Sequence, residues 1–208
     1  MKTSPKSFFS ALDERSRRLN VILSQEEEQT KLRIETDCNE PGVLFRIAGV
    51  LFAHHLLIRR AHITSSGHKT ISDEFFVQKE DDSSIQEKEV KEMIGELEGL
   101  LFANHSVLEF LSNKGINIPP PSHKSAGEVT VYVDEKKIII DINGITGPGY
   151  LLLISRAFYL TDVNILEAIL YLDRDGSTQN RFFVDPSDIR FHNKGFCENL
   201  IAEMKDLL

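Results

Sequence analysis

The 208-residue sequence has no tryptophan, three methionines and only two cysteines. Cys38 and Cys197 stand far apart in unlike contexts, which is neither a disulfide framework nor a zinc-ligand spacing, and the expectation is a reducing, cytoplasmic setting. A basic excess is also missing: 24 Lys and Arg stand against 32 Asp and Glu, for a net charge of −8 and a pI near 5.4. Phosphate backbones and anionic membranes both need a concentrated basic face, so nucleic acid and membrane are not expected as partners. No apolar run reaches the roughly 18 residues of a membrane span. Met1-Lys2-Thr3-Ser4-Pro5-Lys6 opens into a charged segment without a signal-peptide core, so the chain is expected to be the whole mature protein. With 41% hydrophobic and 27% charged residues, it can bury a real core as one large domain or two small ones.

Catalytic signatures are equally scarce. There is no Gly-x-Ser-x-Gly, P-loop or dinucleotide fingerprint, and Cys38 has no evident basic partner in the sequence, so no nucleophile or cofactor is expected. Seven histidines include the adjacent His54-His55, and His62 and His68 flank a turn. Adjacent residues diverge on a helix or strand, so no metal site is expected. Asp173-Arg174-Asp175-Gly176 resembles the start of a calcium loop but lacks the closing acidic residue, and a hairpin turn explains it. An enzyme is not expected, because no convergent set of titratable groups is present.

What the chain does have is an internal repeat. Sliding it by 107 residues lays 41–77 on 148–184 without a gap, with nine of 37 positions identical, where chance gives about two. Pro41-Gly42 falls on Pro148-Gly149, Leu44 on Leu151, Ile47 on Ile154, Ile58 on Ile165, Ala61 on Ala168, and Phe75-Phe76-Val77 on Phe182-Phe183-Val184. Two copies of one small module follow.

Each copy reads as one string of elements. A β-branched or alternating run (Leu32, Ile34, Thr36; Ile138, Ile139, Ile140, Ile142) precedes the Pro-Gly and predicts a strand. The copies differ there by one residue in phase, which predicts a bulge or a longer loop in one of them. Apolar residues at i, i+4, i+7 and i+8 (Val43, Ile47, Val50, Leu51; Tyr150, Ile154, Ala157, Phe158) then predict a helix. Two strands follow, joined at Ser65-Ser66-Gly67 or at Asp173–Gly176, and then a helix over 84–102 or 196–208. The alternating Val129, Val131 and Val133 of 128–133 predict an edge strand that closes the first sheet or extends the second. Residues 7–29, with Phe8, Phe9, Leu12, Leu19, Ile22 and Leu23 at near-helical spacing, predict a leading amphipathic helix.

The expected fold is α+β: two ferredoxin-like βαββαβ units in tandem, packed edge to edge or face to face. The divisions are a helix over 1–29, a first unit over 30–114, a linker over 115–127 containing Pro119-Pro120-Pro121, and a second unit over 128–208.

The strand, the Pro-Gly-(Val/Tyr)-Leu turn, the apolar helix and the Phe-Phe-Val strand, met twice at constant offset, resemble the ACT domain family. Within it the pair is similar to the C-terminal regulatory ACT units of protein-PII uridylyltransferases. The resemblance implies a non-catalytic regulator that binds a small metabolite, often an amino acid, between two units. It places the ligand on Asn39 and the backbone N–H groups of Gly42, Val43 and Leu44 from one copy, and on Asn164 from the other. The helix after Pro-Gly offers unsatisfied donors and a positive dipole end to a carboxylate. The reciprocal site of Thr146, Gly149, Tyr150, Leu151 and Leu57 lacks both asparagines, so one ligand per chain is expected. The uridylyltransferases carry an Asp-Arg pair before each Pro-Gly, and Asn39-Glu40 and Thr146-Gly147 replace it here, so glutamine specificity does not carry over. The alternative expectation is an interaction or dimerisation module that has lost its ligand and regulates a partner protein, as a homodimer or on a partner enzyme.

Overall fold

Leu32, Ile34 and Thr36 are buried along one strand while Arg33 and Glu35 between them are partly exposed, the period of two that a sheet covered on one face requires. The same alternation recurs through a computed structural model that describes residues 6–9, 19–26, 29–38, 40–64, 71–118, 127–145, 148–173 and 175–207. The strands are β1 (Lys6–Phe9), β2 (Leu19–Glu26), β3 (Gln29–Thr36), β4 (Leu56–Thr64), β5 (Ile71–Lys79), β6 (Glu128–Val133), β7 (Ile138–Ile145), β8 (Ile165–Leu172) and β9 (Ser177–Val184). The helices are α1 (Val43–Ala53), α2 (Glu87–Phe102), α3 (Val107–Asn113), α4 (Tyr150–Leu160) and α5 (Lys194–Leu207).

All nine strands form one antiparallel sheet in the order β1-β2-β3-β5-β4-β8-β9-β7-β6. The two copies meet edge to edge, with β4 pairing β8 through Ala61↔Leu170 and Ile63↔Ala168. Above that seam α1 packs on α4, with α2 and α5 flanking. Leu32, Ile47, Phe75, Ile140, Ile154 and Phe182 are fully buried in the shared core. The repeat extends to irregularities: β4 shifts register between Ile58 and Arg60, and β8 between Ile165 and Glu167, the equivalent residues.

Two expectations are corrected. The leading helix is not formed over 19–26, which is strand β2 paired with β3. Leu19, Ile22 and Leu23 fit a helical period, but Leu19 and Val21 are the residues buried, and the vacant edge of β3 is satisfied only by a strand. The remainder of 7–29 includes 10–18, which lies outside the described residues, and the paired β1. The unit is also connected differently from βαββαβ. The strand beside β3 comes before it in the chain rather than after α2, and β6 stands beside β7 in the same way, so each copy is ββαββα, a permuted ferredoxin-like unit. Segment 128–133 therefore extends the second sheet. An offset of 107 carries 19–26 onto 126–133, so the repeat itself pointed to β2 as a strand.

The difference in phase before Pro-Gly is a difference in loop length. Leu32 pairs Phe75 and Ile140 pairs Phe182, so β3 lies one residue further from its Pro-Gly than β7 does. Between copies, α3 is an addition that buries Val107 and Leu111 and is capped by the Ser106 side chain, which accepts from the Glu109 N–H. The Pro-rich stretch 119–126 and the turn Ser65-Ser66-Gly67 lie outside the described residues.

Candidate functional site

The pseudo-symmetry of the sheet creates two equivalent pockets over the seam, each between the Pro-Gly turn of one copy and the helix end and next strand of the other. Glu40-Pro41-Gly42-Val43 is a type II turn: the Val43 N–H donates to the Glu40 carbonyl at 3.3 Å, and Gly42 holds φ +86° and ψ 6°, a left-handed conformation that glycine adopts without steric cost. The turn delivers the chain into α1, whose first recorded backbone bond runs from the Arg46 N–H to the Gly42 carbonyl at 3.0 Å. Among the described residues no side chain caps α1. The N–H groups of Leu44 and Phe45 have no partner among the described residues, and they face the positive end of the helix dipole. Because the turn consumes the Val43 N–H, that member of the expected trio 42–44 is not open to a ligand.

The first pocket is lined by Gly42, Val43, Leu44 and Phe45, by Asp73 of β5, and across the seam by Ser155, Tyr159 and Asn164. It thus brings together every described residue of the first expected site. Asn39 lies outside the described residues. Tyr159 roofs the pocket: its ring stacks on Phe45 with centroids 5.6 Å apart, and its edge lies 2.4 Å from where a Cβ on Gly42 would sit. Ser155 is satisfied within α4, donating to the Leu151 carbonyl at 2.6 Å.

Asp73 is the residue that sequence reasoning missed. It is 1% exposed on the helix-facing side of β5, in line with Ile71, Phe75 and Val77. Its Oδ1 accepts from the Thr64 N–H at 3.1 Å, and among the described residues no cation pairs with it. Burial pushes its carboxyl up to about 7, against the lowering effect of that single hydrogen bond. The available signal was a carboxylate at an inward position of an alternating apolar strand.

The second pocket is lined by Gly149, Tyr150 and Leu151 with Thr178 and Asn180 of its own copy, and by Phe52 and Leu57 of the other. It too assembles the described residues of the reciprocal site, Thr146 being outside them. Its chemistry differs. Asn180 stands where the first copy has Asp73, and Tyr150 where it has Val43. The Asn180 amide donates to the Tyr150 hydroxyl at 2.9 Å and to the Ile142 carbonyl at 3.0 Å. Burial raises the Tyr150 phenol above its ordinary value, opposed by hydrogen bonds with Thr178 and Asn180. Each pocket encloses about 40 Å³, against the roughly 150 Å³ that takes up benzene. At that volume each admits about one polar group.

Two of the histidines tie elements together. His54 Nε2 lies 2.8 Å from Glu96, which Lys114 also pairs at 2.5 Å, tying the end of α1 to α2, and His62 meets Glu167 across the seam at 3.3 Å. His68 is outside the described residues. Asp173–Gly176 closes the β8–β9 hairpin, with Gly176 at φ +87° and the Asp175 carboxylate accepting from the Ser177 N–H at 2.8 Å. Among the described residues no three His, Cys, Asp or Glu gather to hold a metal ion, and no helix is long and apolar enough to cross a membrane.

No family model and no curated protein matches the chain. Among solved structures, the crystal structure of aspartate kinase from Synechocystis aligns at 14% identity and a TM-score of 0.46, over 94% of this chain and 30% of that one. The chain therefore spans under a third of that protein's length.

Proposed function

We propose that the chain is a non-catalytic regulatory protein of the ACT kind that binds a small metabolite of the amino-acid class in the Asp73 pocket. One observation carries the reading: the turn Gly42–Phe45 from one copy and Asn164 from the other line a single pocket over the seam. A ligand carboxylate meets the open N–H groups of Leu44 and Phe45, where the helix dipole favours negative charge. Asn164, exposed at the start of β8, supplies an amide to the ligand's polar groups. Binding across the seam couples ligand to the relative setting of the two copies, which is how a non-catalytic module transmits a signal.

A panel of amino acids in a thermal-shift assay tests this, since a ligand that binds only the native state raises Tm by mass action. At least one amino acid is expected to raise Tm in the wild type and to lose that effect in Asn164→Ala. The second reading, an interaction module that no longer binds a ligand, is favoured by the small volume of both pockets, about 40 Å³ each. A flat panel supports it and rejects the ligand-binding reading.

A further inference from the structure

The two pockets share a backbone, and among the residues in which they differ, the positions of Asp73 and Val43 change the charge and polarity of the interior. In the second copy the inward position of the third strand is Asn180, whose amide is met by the Tyr150 hydroxyl of the same copy. In the first copy that position is Asp73, and the residue equivalent to Tyr150 is Val43, which has no polar atom in its side chain. Asp73 is 1% exposed, lines the pocket, and among the described residues receives only the Thr64 N–H. A carboxylate so placed lacks the cation that normally accompanies a buried charge. The tyrosine hydroxyl of the second pocket marks, in the protein's own atoms, where the missing group of the first would stand.

We infer that Asp73 is the specificity determinant of its pocket, selecting a ligand with a protonated amine, and that in the twin pocket the Tyr150 hydroxyl already takes the partner place beside Asn180, so that one such ligand binds per chain. This rests on the proposed function for the ligand's carboxylate and extends it to the ligand's cationic end. An amino acid then bridges two opposite features of the wall, carboxylate to the start of α1 and ammonium to Asp73. The charge-assisted contact is formed in a site with little water, where it is strongest. Anions without an amine, such as simple carboxylic acids, are excluded by the same carboxylate.

Titration calorimetry on the full chain tests the inference with three kinds of probe: the amino acids, the N-acetyl derivative of any that binds, and n-propylamine, which has the cation alone. The expected result is one site per chain, with binding roughly 10- to 100-fold weaker after N-acetylation or in Asp73→Asn. Asn180 shows that the fold accepts asparagine at this position, and the acetylated ligand tests the same contact without any substitution. Binding unchanged by both overturns the role of Asp73 and leaves the proposed function standing. Binding of n-propylamine alone, lost in Asp73→Asn, supports the role of Asp73 and rejects the amino-acid reading. No binding of any probe overturns both. The triple variant Leu57→Asn, Tyr150→Val, Asn180→Asp matches the second pocket to the first at the three positions the ligand is proposed to meet, and two sites per chain are expected; a count that stays at one overturns the part given to Tyr150.

Discussion

Replacing Asp73 by asparagine removes a charge and almost no volume. Its carboxyl has a pKa of about 7 in the folded chain against 3.8 for the free group, because burial disfavours the ionised form. A carboxyl with a raised folded pKa binds more protons folded than unfolded, so stability is greatest below the unfolded value and declines as pH rises through the window up to the folded one. The full decline across that window is on the order of 4 kcal/mol, at about 1.4 kcal/mol per pH unit. By about pH 5 roughly a third of it has been lost, so about 3 kcal/mol separates pH 5 from pH 8. Asparagine titrates in neither state. Urea unfolding of both proteins without ligand, followed by far-UV circular dichroism, should therefore show Asp73→Asn gaining about 3 kcal/mol on the wild type between about pH 5 and pH 8. Comparing the two proteins at each pH cancels the other carboxylates and histidines, which titrate in both. Equal differences at the two pH values would refute the claim that Asp73 is buried without a cation.

Gly42→Ala forces a side chain into a left-handed position at φ +86° and into the Tyr159 ring, and is expected to cost about 1–2 kcal/mol from the backbone alone, read as a lowered Tm. Tyr150→Phe deletes the hydroxyl that accepts from Asn180 at 2.9 Å; the Ile142 carbonyl still takes that amide, so a loss of about 1 kcal/mol in urea unfolding is expected. Val21→Ala should cost about 1–2 kcal/mol and Ile22→Ala less than half of that, because the strand buries Val21 and leaves Ile22 partly exposed; the reverse order in urea unfolding would restore the helical reading of this segment.

The features legible in the sequence are those fixed by the backbone. Pro-Gly turns, helices with an i, i+4, i+7 face and Phe-Phe-Val strands need only local chemistry, and two copies of each leave little ambiguity. That Asn164 meets the turn of Gly42 was also within reach, because an interface between copies pairs each turn with the other copy's strand. Segment 19–26 was misread because eight residues are too few to separate a period of two from one of 3.6, and its partner edge is set only once β3 has a sheet to belong to. Asp73 escaped notice for a different reason. Its neighbours Phe75, Phe76 and Val77 carry the repeated motif, and both Phe75 and Phe76 are buried. Phe76 is covered on the opposite face by the Arg60 guanidinium, 3.7 Å from the ring centroid. With both faces of β5 covered, alternation does not by itself say which side of the sheet a residue occupies.

Duplication of a ββαββα unit fixes where pockets form, while the side chains decide what each pocket is. Both copies place a left-handed glycine before a helix, Gly42 at φ +86° and Gly149 at φ +81°, and both bulge at the equivalent residue of the seam strand. The scaffold is therefore symmetric at the glycine turns and along the seam strands. Against it, Tyr150 and Asn180 satisfy each other in one pocket, while Val43 and Asp73 leave the other with a carboxylate that no cation pairs among the described residues. A buried carboxylate without a cation lowers the stability of the unliganded fold, and the neutral alternative, Asn180, stands at the equivalent position in the other copy of the same chain. Retaining the charge on one side only is intelligible if a cation arrives from outside, and the hydroxyl of Tyr150 then removes competition from the twin. On the proposed reading the duplication yields one ligand site and one polar cluster that satisfies itself, set on either side of the β4–β8 seam.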